Sequence, residues 1–128
     1  MATNSQAEAF AYLTAHEFLV LTTYRKNGDA VPTTVWFAND QGNIYITTQK
    51  QAGKLKRIHH TARVEMTPSD RTGTLLGEPK VQGNAHEASA DERPQALAAL
   101  QQKYGEMFTR IAGSDSADRA YIVVEPMA

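Results

Sequence analysis

The chain has 128 residues, 41% hydrophobic and 21% charged, the size and composition of one soluble globular domain spanning 1–128. A formal net charge of −1 and a pI near 6.4 exclude a general polyanion binder, because domains that grip nucleic acid are basic overall. With no cysteine, disulfides, thiolate metal sites and a cysteine nucleophile are excluded; the acidic, polar start and the lack of a membrane-length apolar run point to a cytoplasmic protein with no membrane partner.

In chain order, residues 5–16 place Ala9, Phe10, Tyr12 and Leu13 at helical spacing behind Asn4 or Ser5 as a cap, which predicts a short opening helix. Next, EFLVLTTY (17–24) and AVPTTVWFA (30–38) flank a turn containing Asn27-Gly28, the strongest hairpin signal in the chain. A second turn, NDQGN, leads to IYITT (44–48), so three antiparallel strands form a meander. Residues 52–60 lose the strand alternation, and Leu55 and Ile58 lie three apart, which predicts one to two helical turns. ARVEMTP (62–68) and KVQGNAHEAS (80–89) read as partner strands across a polar turn at 69–78. A helix is expected from Asp91 to Gly105 with Leu97, Leu100 and Tyr104 on one face, and EMFTRIAG (106–113) as a possible continuation. After a surface loop at 113–118, RAYIVVEP (119–126) closes the chain as a strand. Six strands, short hairpins and few helices imply a mainly β domain, a small closed or split β-barrel with short flanking helices.

Charge is spread unevenly along this order. Between Asp40 and Glu65 there is no acidic residue, yet Lys50, Lys54, Lys56, Arg57 and Arg63 fall there. A compact anion such as a phosphate group fits that interval better than a long duplex does. Gly53 lets backbone come close to a ligand, the first helical turn offers unpaired amides, and Lys54 adds a full charge beside the Leu55/Ile58 stripe. Lys56 and Arg57 project farther towards solvent, while Thr47 and Thr48 supply hydroxyls a short loop away. The same run also reads as a plain solvated helix face. Thr33-Thr34 also reads as ordinary strand filler, and Trp36 and Phe37 as core. His59 and His60 diverge by about 100° on a helix, so no metal site is expected. No nucleophile elbow or carboxylate pair stands out either, so no catalytic side chain is assigned and any redox chemistry must come from a cofactor.

The run FLVLTTYRKNGDAVPTTVWFANDQGNIYITTQKQAGKLKRIHHTARVEM, followed by VQGNAHE, resembles the pyridoxamine 5'-phosphate oxidase-like FMN-binding split barrels. It is most similar to their flavin/deazaflavin oxidoreductases of the B group, over residues 16 to 125. The resemblance implies a six-stranded split barrel acting as a homodimer, with cofactor sites at the subunit interface. It implies cofactor phosphate held by Lys54, Thr47 and Thr48, and a ring lying against Pro32, Thr33 and Thr34. Where some relatives carry an additional arginine this chain has Ala52, so Lys50 or Arg57 is expected to compensate. That departure favours the deazaflavin coenzyme F-420 over FMN. The implied activity is hydride transfer to a small organic acceptor; a non-catalytic carrier of a flavin, haem or tetrapyrrole is the alternative.

Overall fold

A computed structural model describes residues 16–40, 42–77, 80–105 and 119–126. The opening helix expected at 5–16 lies, apart from His16, outside the described residues, as do the helical piece at 106–113 and the loop at 113–118. The described elements are β1 (Phe18–Tyr24), β2 (Ala30–Asp40), β3 (Asn43–Gln49), α1 (Gly53–His60), β4 (Arg63–Ser69), β5 (Val81–Glu87), α2 (Arg93–Tyr104) and β6 (Arg119–Pro126). The strands close into a barrel in the order β1-β2-β3-β6-β5-β4, with every pairing antiparallel. The described residues thus form a six-stranded, mainly β barrel with two helices, and the barrel is the architecture that the sequence pattern predicts.

The β1–β2 turn shows why Asn27-Gly28 is a hairpin signal. Gly28 sits at φ 96°, a left-handed conformation that side chains with a Cβ adopt at a cost, and the Asn27 side chain accepts a 3.0 Å hydrogen bond from the Asp29 amide.

Strand β2 changes partner midway. From Ala30 to Trp36 it pairs with β1, and from Phe37 to Asp40 it pairs with β3. Past the Phe37–Ile46 pair, β3 runs on beside β6 alone, with Thr47 opposite Tyr121 and Thr48 opposite Ala120. The barrel is therefore split between the first half of β2 and the end of β3, and among the described residues each strand presents an edge there with no strand partner. Tyr104 of α2 stabilises the changeover: its hydroxyl accepts from the Phe37 amide at 3.0 Å and lies 2.8 and 2.6 Å from the Phe37 and Glu17 carbonyls. Burial raises the Tyr104 pKa, which keeps this hydroxyl a donor.

Inward-facing Leu19, Leu21, Phe37, Ile44, Ile46, Val64, Met66 and Ile122 fill the barrel, and Leu55 and Ile58 of α1 join the same core. An eight-residue helix without a side-chain cap does not persist alone. Burying Leu55 and Ile58, worth about 3–5 kcal/mol together, fixes α1 in place and with it Lys54. Helix α2 packs Ala96, Ala99 and Leu100 on Tyr45, Tyr121 and Val123 outside the barrel, while Leu97 and Tyr104 are only partly buried. Its start is tied down by reciprocal bonds: Ser89 N–H to Glu92 Oε1 (2.9 Å) and Glu92 N–H to Ser89 Oγ (3.3 Å). Among the described residues no helix is long and apolar enough to cross a membrane.

Candidate functional site

The split creates a pocket of about 220 Å³ bordered by Thr34 and Val35 of β2, Thr47, Thr48 and Gln49 of β3, Ala52, Lys54 of α1 and Arg119 of β6. Four of the sequence-predicted residues, Thr34, Thr47, Thr48 and Lys54, meet here. Lys54 Nζ donates to Thr48 Oγ1 at 3.0 Å, and Arg119 Nη2 donates to Thr47 Oγ1 at 2.7 Å. Each hydroxyl oxygen accepts from a cation, so its own proton is left to donate outwards. No carboxylate borders the pocket among the described residues, and Arg119 Nε is buried without a hydrogen-bond partner. The wall is therefore dominated by donors and carries two positive charges.

Electrostatics reinforce that reading. The Lys54 pKa is lowered, first by burial and then by the nearby Arg57 and Arg119 charges. All three causes penalise the ammonium, and the charge of an anion entering the pocket would offset that penalty.

Thr34 also borders a second, larger space. On the outer face of β1, β2 and β4 lies a groove of about 520 Å³, within the range of small-molecule sites. Pro32, Thr33 and Thr34 form one side of it; Val20, Thr22 and Tyr24 of β1 form the floor, with Glu65 and Thr67 of β4 beyond. Cross-strand register explains this grouping, because Val20 faces Thr34 and Thr67, and Thr22 faces Pro32 and Glu65. The far wall is the loop after β4, with Thr72, Gly73 and Leu75. Asp70 holds that loop folded: its Oδ1 accepts from the Thr72 amide (2.9 Å), the Thr72 hydroxyl (2.7 Å) and the Thr74 amide (3.0 Å), and these bonds lower its pKa. Gly73, at φ 90°, comes so near β2 that a Cβ would stand 2.6 Å from Thr34 Oγ1. A glycine is required there both for its backbone angle and for the approach.

Two predicted residues stand apart. Lys50 is exposed in the turn after β3 and borders neither space. Arg57 does not project to solvent as its helical position suggests; it turns back, and its Nε donates to Thr23 Oγ1 on β1 at 2.6 Å. The long guanidinium arm crosses the end of a short helix, which a helical projection does not represent. His59 and His60 are exposed, and His59 Nε2 is 3.0 Å from Glu87 Oε1. Among the described residues no group of three or more His, Asp or Glu could hold a metal ion. The residue that sequence reading misses is Arg119, which sits where the compensating cation was sought at Lys50 or Arg57. Its sole local signal is a charge at the entrance of an apolar strand.

Several solved structures share this fold. A candidate pyridoxamine 5'-phosphate oxidase of Listeria innocua superposes with a TM-score of 0.70 at 16% identity, covering 97% of this chain and 94% of that one. HutZ, the heme storage protein of Vibrio cholerae, gives 0.71 at 14% identity, covering 94% and 89%. A heme binding protein of Mycobacterium smegmatis gives 0.69 at 18% identity, covering 95% of this chain and 50% of that longer one. No curated protein matches the sequence. The profile of the pyridoxamine 5'-phosphate oxidase family, however, matches residues 5–128, and with the barrel and its split this places the chain in that family.

Proposed function

We propose that the chain is an oxidoreductase moving a hydride between a flavin-type cofactor, coenzyme F-420 before FMN, and a small organic acceptor. The observation that carries this reading is the junction at Thr34 of a donor-lined cationic pocket with a groove large enough for a flat ring. A planar heterocycle with a phosphorylated tail has that same division of character. When bound, such a cofactor supplies the redox chemistry at its ring carbon.

The chain's own part is binding, orientation and exclusion of water. Lys54 and Arg119 would neutralise the phosphate, with Thr47 and Thr48 donating their free hydroxyl protons. Pro32 has no amide proton, so hydrogen bonding to the ring's polar edge would fall to its carbonyl and to the backbone groups of Thr34 on the open edge of β2, whereas those of Thr33, opposite Leu21, turn towards β1. Leu75, which borders the groove, and its neighbour Leu76 are 51% and 47% exposed and give a second copy of the chain apolar surface to cover. A homodimer closing over the groove would keep the ring dry and oriented.

A non-catalytic haem or tetrapyrrole carrier is the second reading, favoured by the two heme proteins among the structural neighbours. Against it, no histidine or methionine borders the groove among the described residues, which leaves Tyr24 and Lys80 as the side chains there able to ligate haem iron axially. Calorimetric titration of the apo-protein with coenzyme F-420, FMN, riboflavin and hemin at equal ionic strength separates the readings. The expected order is F-420, then FMN, with riboflavin clearly weaker. Tight binding of hemin alone would replace the oxidoreductase reading with the carrier.

A further inference from the structure

We propose that Arg93, which borders neither the pocket nor the groove, is a positioning residue that holds Arg119 in the anion pocket. The inference rests on reading the Lys54–Arg119 pocket as the phosphate site.

Arg119 is the first residue of β6, and its strand pairing is to Gln49. The side chain must reach diagonally across to Thr47 while its Nε stays buried without a partner, so a small backbone shift would move the guanidinium out of register with the pocket. What anchors that backbone from the other side is Arg93. Its Nη1 donates to the Arg119 carbonyl at 3.1 Å, and its guanidinium carbon lies 5.0 Å from the centroid of the Tyr121 ring. Tyr121 is 1% exposed and directly opposite Thr47, so the ring is itself immobile. One planar cation thus grips both 119 and 121, flanking the residue opposite Thr48. Arg93 in turn emerges beside Glu92, whose carboxylate is fixed by the Ser89 amide and by His86 Nε2 at 3.0 Å. Planarity and a forked donor set are what the contact uses, and lysine lacks both.

The test titrates FMN against riboflavin, and coenzyme F-420 against its phosphate-free deazaflavin riboside, into wild type, Arg93→Met, Arg93→Lys, Arg119→Met and the Arg93→Met/Arg119→Met double variant. The phosphate-dependent part of the affinity, read as the ratio within each pair, is expected to fall about tenfold in Arg119→Met and about three- to fivefold in Arg93→Met. In the double variant it should match Arg119→Met within about twofold, because a residue acting through another adds nothing once that other is gone. Arg93→Lys should fall between wild type and Arg93→Met, and it carries the test if the methionine variant fails to fold. A merely structural Arg93 would weaken both members of each pair alike and leave the ratio unchanged, which would overturn the proposal. So would losses that multiply in the double variant. If Arg119→Met itself leaves the ratio at the wild-type value, or wild type shows no phosphate preference, the phosphate reading fails first and Arg93 loses its role with it.

Discussion

Two half-buried lysines, Lys54 of α1 and Lys103 of α2, lie against different parts of β2, and the contrast between them separates a binding site from a packing device. Lys54 is hydrogen-bonded to a hydroxyl, faces an open pocket and shares it with a second cation. Lys103 Nζ lies 3.5 Å from the centroid of the Phe37 ring, buried and without a hydrogen-bond partner. Burial lowers the pKa of both. A depressed lysine pKa therefore does not by itself mark function. What distinguishes Lys54 is convergence: three further donor groups aim at the same space, and an anion has room to enter.

The sharpest way to break that contrast is to neutralise each lysine in turn. Lys54→Met should weaken binding of coenzyme F-420 or FMN by about 10- to 100-fold, the range expected for losing one charge-assisted hydrogen bond, whereas Lys103→Met should change it by less than about twofold. Thermal stability of the ligand-free Lys54→Met protein should hold or rise, because the variant relieves repulsion from Arg57 and Arg119. Equal losses of affinity in the two variants, measured by calorimetry, would mean that the pocket at the split is not where the phosphate goes.

How far the sequence reaches can be judged on the same residues. Lys54, Thr47 and Thr48 are legible because strand end, loop and helix are contiguous, so local rules bring them together. Arg119 is not, because it arrives on β6, which lies beside β3 only through the barrel order and far along the chain. No local pattern announces a long-range neighbour. The groove wall is hidden for a related reason: the turn after β4 reads as polar loop, and only its fold around Asp70 presses Gly73 against Thr34. The barrel itself needs less, since hairpin turns and alternating strands restrict the pairings to a few. Yet the split, which makes the pocket, depends on β2 changing partner at Phe37, inside what reads as one uninterrupted strand.

That changeover offers a second test, because it borders the Lys103 end and not the pocket's cations. Tyr104→Phe removes the acceptor of the Phe37 amide and a donor to the nearby carbonyls, leaving part-buried polar groups unpaired. Urea denaturation should show a loss of about 1–3 kcal/mol with cofactor affinity little altered in the folded fraction. A variant as stable as wild type would mean that the Phe37 groups find other partners at no cost.

The smallest effect distinguishes Lys103 from Lys54 most directly, since it depends on pH in a direction set by burial. The Lys103 pKa in the folded protein is about 8, below its ordinary 10.5, with Glu17 opposing the shift only weakly. Folding therefore disfavours the protonated amine: the cost is full below about pH 8, declines as pH rises, and is gone above about 10.5. Because Lys103 retains partial exposure, solvent screening reduces the effect to about 1 kcal/mol, and the contact with the Phe37 ring offsets part of it further. Between pH 8 and 10, wild type should gain stability relative to Lys103→Met, which starts from the higher value near neutral pH. If the two proteins keep a constant difference across that window, Lys103 is charged and solvated in the folded state, and the contrast with Lys54 would have to rest on geometry alone.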